Sequence, residues 1–314
     1  MTELDMQPNS LQELLFALAE GDAVRPPARL ADSVRAGAFR ARSPMVPADA
    51  PDPIDPRQAF ACAVDSLDEV LGTLEIEDWH RVALRGLDVQ GLVGHLIGVE
   101  RGFAHALQAD DDHHAHDDHI ETTQPFAAQQ RGRAPADTHR DWRDTARDGL
   151  TQLDRLLDRE DGFDRPVALY GMRLPLGSLL VARTFELWTH EEDIRRAVAR
   201  PLASPDAASL RLMTSLAIQL VPAGMARANV PGDGRSARLV LTGPGGGTWQ
   251  TGLGLAAMGQ TVEGPVDVRI VAEAVDFCRL VANRIDPSAF TAVVTGDGAL
   301  ARGLFLGAAA LALD

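Results

Sequence analysis

The chain has two cysteines, one tyrosine and no lysine. Cys62 and Cys278 lie far apart in the sequence, which fits a reducing, cytoplasmic compartment better than a disulfide framework. Positive charge comes from arginine alone, and 30 basic residues face 45 acidic ones for a formal charge of −15. With a pI near 5.0, the composition argues against nucleic acid and anionic membrane as partners. No apolar run approaches the ~20 residues a membrane-spanning helix needs, and the opening MTELDMQPNS lacks the basic start of a secretory signal. Several catalytic templates are missing too, among them a Rossmann fingerprint and a serine-hydrolase elbow. PGGGT at 244–248 has neither the lysine nor the spacing of a phosphate loop and reads as a hairpin turn. Cys62 on an apolar helix face and Cys278 beside Phe277 have no histidine placed as a base. Thiol chemistry would therefore need a thiol brought in with the substrate or cosubstrate.

What is present is enough apolar content, 45% of 314 residues, to bury substantial cores in two domains. Richness in Ala, Arg, Asp and Gly suggests a GC-rich genome. Residues 1–56 read as two helical stretches, 11–20 and a basic 29–42, followed by a Pro-rich linker. From residue 57, apolar residues recur at three- and four-residue intervals in four segments, near 57–72, 90–108, 137–159 and 176–197. Long connections precede the third and fourth, as in a helical bundle with a site between its helices, over residues 57–205. Beyond Pro205 a helix at 207–226 leads into strand-like ARLVLTG, GGTWQTGL, VDVRIVAE and FTAVVTGD. Helical AVDFCRLVANR lies between the last two, and ALARGLFLGAAALA ends the chain. Residues 206–314 thus read as a small α+β domain.

Two fragments carry the chemistry. LVGHLIGVE (92–100) sets His95 on an otherwise apolar helical stripe, and ELWTHEEDIR (186–195) spaces Glu186 and His190 four apart on one helix face. A core histidine satisfied by a carbonyl and a surface Glu–His pair are the plain alternatives. Yet Phe185, Trp188 and Ile194 place the second segment in a packed face, where an unpartnered glutamate would be costly. One His plus a Glu-x-x-x-His pair makes a three-ligand set with an open position, as a catalytic divalent metal requires. Two imidazoles and a carboxylate favour Zn²⁺ among first-row ions. DDDHHAHDDH (110–119) packs five aspartates and four histidines into one stretch without apolar anchors. It reads as a solvated loop able to bind metal adventitiously.

LVGHLIGVE followed by ELWTHEEDIRRAVARP resembles the metal-binding four-helix domain of DinB-like proteins, and more narrowly the mycothiol-dependent maleylpyruvate isomerase family of actinobacteria. The segment VDVRIVAEAVDFCRLVANRIDPSAFTAVVTGDGALARGLFLGA is similar to that family's sterol-carrier-like C-terminal domain. The resemblance covers residues 57–314. It implies a mixed architecture, a DinB-like four-helix bundle followed by a small α+β domain, with His95, Glu186 and His190 as metal ligands. It also implies mycothiol as cosubstrate and an arginine of the second domain, with Arg284 in VANR as the nearest match, as a catalytic clamp on a substrate carboxylate; a surface or ion-pair arginine is the plain alternative. Asp193 would then orient a ligand from behind, or stand as an exposed helix acid. The implied activity is a metal- and thiol-dependent isomerase or S-transferase acting on a small electrophile. The alternatives are a non-catalytic metal- or ligand-binding regulatory protein and a metal-dependent hydrolase.

Overall fold

A computed structural model describes residues 51–108, 118–158 and 162–312. The helical stretches expected at 11–20 and 29–42, and most of the Asp/His run, lie outside the described residues. Eight α-helices and eight strands are seen among those described.

The first is α1 (Pro56–Gly72), with proline in its first turn and the Asp55 side chain accepting from Gln58 N. Both are good helix-start chemistry, because the first amides have no intrahelical partner. Its inward face is Phe60, Val64, Leu67 and Leu71, whereas Cys62 is exposed rather than on that face. A short hairpin, β1 (Val82–Leu84) and β2 (Leu87–Asp88), turns at Arg85 and Gly86, both at positive φ, and leads into α2 (Val89–Gln108). After α2 comes α3 (His119–Gln129), in the connection expected to be a loop, capped by Asp118 accepting from Glu121 N. Then follow α4 (Pro135–Leu157), the hairpin β3 (Pro166–Leu169) and β4 (Met172–Pro175), and α5 (Leu176–Ala197). Helices α1, α2, α4 and α5 enclose one core, with Phe103, Trp142, Leu153 and Leu187 buried in it.

The rest of the chain begins with α6 (Ala207–Arg227), started by Asp206. The sheet order is β6-β5-β7-β8, formed by β5 (Ser236–Thr242), β6 (Gly247–Gly252), β7 (Val268–Glu273) and β8 (Val293–Gly296). β5 and β7 are parallel and the outer pairings antiparallel, and Gly243–Gly246 make the β5–β6 turn read from PGGGT. Helices α7 (Ala274–Val281) and α8 (Gly298–Ala309) join α6 in covering this sheet and enclosing a second core. Val181 and Trp188 belong to this core, while Leu180 and Leu187 of the same helix belong to the first. Helix α5 is thus apolar almost all round because it is shared by both cores.

α2 and α3 come very close because glycine faces the contact. A Cβ on Gly94 would sit 2.8 Å from the Phe126 carbonyl oxygen, and one on Gly98 would sit 2.8 Å from the Phe126 ring. Any side chain there would push α3 away. This close approach lets α3 reach the site beside His95. No described helix is long and apolar enough to cross a membrane.

Candidate metal centre

His95 on α2 and Glu186 and His190 on α5 meet at the inner face of the bundle. One donor atom from each lies within 4.8 Å of the others. His95 Nε2 is 3.6 Å from Glu186 Oε1, and the His95 and His190 rings sit edge-on with centroids 5.4 Å apart. Both histidines are more than nine-tenths buried.

Each ring is oriented by its far nitrogen. Thr123 Oγ1 donates to the His119 carbonyl at 2.7 Å, so it accepts from His95 Nδ1–H at 2.8 Å. His190 Nδ1–H donates to Asp193 Oδ2 at 3.1 Å. Fixing Nδ1–H in this way leaves each Nε2 lone pair free, the tautomer a metal needs. Asp193 is buried rather than exposed, and Arg284 holds it from Nε at 2.8 Å and Nη2 at 2.7 Å. Burial opposes ionisation of Asp193, but the bonds from His190 and Arg284 outweigh it and bring its carboxyl down to about 2. The remaining Arg284 nitrogen, Nη1, donates to the Ala282 carbonyl at 2.9 Å. Arg284 thus makes a two-pronged grip on Asp193, the ion-pair alternative for this arginine.

Behind the donors lies a buried charge cluster absent from the sequence reading. Arg183, 2% exposed, spans Glu100 and Glu186, with Nη2 at 2.5 Å from Glu100 Oε1 and Nη1 on Glu186 Oε2. Burial would raise the Glu186 carboxyl, yet Arg183 and His119 hold it well below the ordinary range. Glu100 is pushed up by its complete burial despite Arg183. His119 also belongs here, contrary to its expected place in a solvated loop. It is 8% exposed, with Nε2 at 3.2 Å from Glu186 Oε1 and its ring 4.7 Å from that of Tyr170, the sole tyrosine. Tyr170 (φ 49) and Gly171 (φ 74) make a turn with both central residues left-handed. That geometry suits a two-residue hairpin but is strained at a tyrosine.

Glu186 and His190 open onto a cleft between the bundle and the α+β part. Glu186, His190, Arg183, His119 and Arg284 line it among apolar Leu216, Leu220, Val281 and Leu311. Neither cysteine supplies a reactive thiolate, since Cys278 is fully buried and burial raises both thiols.

Burial depresses the His95 imidazolium to about 4 from an ordinary 6.5, the neighbouring His190 and His119 adding to the effect while Glu186 opposes it. In the metal-free chain the unfolded state therefore binds more protons between these values, and stability falls as pH drops through that window. Between pH 7 and pH 5 the His95 contribution should fall by about 2 kcal/mol. Denaturant titration of the chelated wild type against His95→Gln checks this, and parallel pH profiles would contradict it.

The fold and site define a class, a helical bundle with a His–Glu–His centre set against a small α+β layer. Residues 60–195 match the family model for the mycothiol maleylpyruvate isomerase N-terminal domain. A crystal structure of mycothiol-dependent maleylpyruvate isomerase has the same fold, with TM-score 0.52 and 14% identity over 76% of this chain and 91% of that one. Uncharacterised proteins from two strains of Mycobacterium tuberculosis are 26% identical over 246 residues, covering 75% of this chain and 87% of theirs.

Proposed function

We propose that the chain is a metal- and thiol-dependent enzyme of the maleylpyruvate isomerase type, in which His95, Glu186 and His190 hold a divalent ion, Zn²⁺ by preference. The supporting observation is the pair of oriented histidines, with Thr123 behind one and Asp193 behind the other, next to Glu186. The donor set fits an ion: mixed nitrogen and oxygen donors, each histidine with a fixed tautomer, and a buried Glu186 Oε1 without a hydrogen-bond donor. Bound there, the ion supplies the positive charge that favours thiolate over thiol.

The protein's own groups do the positioning. Arg183 fixes the outer oxygen of Glu186, Asp193 fixes His190, and Arg284 ties Asp193 to the second half of the chain. The apolar cleft wall keeps water from the electrophile. We further propose residues 57–205 and 206–314 as two domains, each with its own core and with the cleft between them. Mycothiol is the proposed cosubstrate, and the substrate class is a small electrophile bearing a conjugated cis double bond, isomerised or S-conjugated.

The test is turnover of maleylpyruvate by the zinc-loaded chain with and without mycothiol. Thiol-dependent isomerisation or conjugation is the expected result. Turnover without thiol would indicate hydrolysis, and no turnover together with no thiol binding would indicate a binding protein.

A further inference from the structure

His119 is the feature of this site that neither the ligand motif nor the domain match accounts for. Its ring is buried and lines the cleft, and neither ring nitrogen makes a hydrogen bond. Its polar neighbour is Glu186 Oε1, 3.2 Å from Nε2, and a buried imidazole left without a well-aligned hydrogen bond is costly unless something else engages it. Two groups fix its position. One is Tyr170 stacked on one side, and the other is the start of α3, where Asp118 caps the helix. The same helix supplies Thr123, which orients His95. α3 therefore contacts the centre at two points.

The spacing is that of a shared ion. Zinc bonds of about 2.0–2.1 Å put the donors of a tetrahedral site about 3.3 Å apart, and the centroids of two bound imidazoles about 5 Å apart. His119 Nε2 lies 3.2 Å from Glu186 Oε1, against 3.6 Å for His95 Nε2. The His119 and His95 rings have centroids 5.0 Å apart, against 5.4 Å for His95 and His190. His119 stands on the Glu186–His95 edge, outside the cluster of donors that all lie within 4.8 Å of one another. Completing the shell requires His119 to move towards His190.

We propose that His119 is a fourth protein ligand of the divalent ion, closing the resting site as three imidazoles and one carboxylate. This rests on the metal reading above and extends it. A site with four protein ligands is closed, so His119 then controls access to the ion from the cleft, and α3 is the element that opens or shuts it.

X-ray absorption on the zinc-loaded full chain, with His113, His114 and His116 replaced by serine to remove adventitious donors, counts the imidazoles directly. Three are expected. His119→Ala, or His119→Gln if the alanine variant does not fold, should hold the ion about 10- to 100-fold more weakly in chelator competition, at least the cost of losing an outer partner. With cobalt(II) in place of zinc, the variant's visible bands should weaken as water replaces the imidazole, and added imidazole should restore them. Two imidazoles in the wild type, with unchanged affinity and spectrum in the variant, would overturn this proposal and leave the His95–Glu186–His190 reading intact. No retained ion in the wild type would overturn both.

Discussion

Replacing His95 with alanine is expected to reduce bound metal from about one ion per chain to a small fraction after dialysis against a mild chelator. Full metal sites are worth about 10–16 kcal/mol over four ligands, so one lost ligand costs about 2.5–4 kcal/mol, a site about 70- to 900-fold weaker. His95 should sit at the upper end, because Thr123 presets its tautomer and the ring is buried against His190 and His119. The ion binds the folded state alone, so it raises the melting temperature of the wild type and not of the variant. Metal analysis after serine replacement at His113, His114 and His116 checks the first part, and melting with and without chelator the second. Full metal content in His95→Ala would mean that the ion sits elsewhere.

Removing Arg183 is expected to have the largest effect on folding. Arg183→Met leaves Glu100, 1% exposed, with no positive partner among the described residues, and frees Glu186 from its guanidinium partner. Breaking a buried ion pair from one side typically costs about 3–5 kcal/mol, because a charge is stranded in a poorly solvating interior. Adding Glu100→Gln should recover a good part of that loss, since it removes the stranded carboxylate. Zinc should also stabilise Arg183→Met more than the wild type, because the ion replaces the charge that Glu186 has lost. Denaturation of the single and double variants, with and without zinc, gives all four quantities. A double variant as unstable as Arg183→Met alone would mean that packing, and not charge, sets the cost.

The periodic parts of the fold could be read from the sequence. Four apolar helices and four strand-like runs lie where they were expected, as do His95, Glu186 and His190 on their helix faces. What could not be read depends on contacts between distant segments. Glu100 and Arg183 pair across 83 residues, and nothing within either local window marks them as partners. The polarity of the Asp/His run hid His119, although Asp118 three residues before Glu121 is a helix-start signature and Phe126 and Ala127 follow on the buried face. Arg284 was placed at the site by resemblance, but its binding partner, Asp193, emerges only when α5 and the segment after α7 are packed together. Tyr170-Gly171 and Arg85-Gly86 are atypical for tight hairpins, where Asn-Gly and Asp-Gly predominate, and so gave no hairpin signal.

The central claim is that the His95–Glu186–His190 centre holds an ion that in turn recruits a thiol. Calorimetric titration of mycothiol into the full chain, once loaded with zinc and once stripped by chelator, tests it most directly. One thiol per loaded chain, and no binding heat from the stripped chain, is the predicted result. Equal binding in both states, or binding in neither, would contradict it.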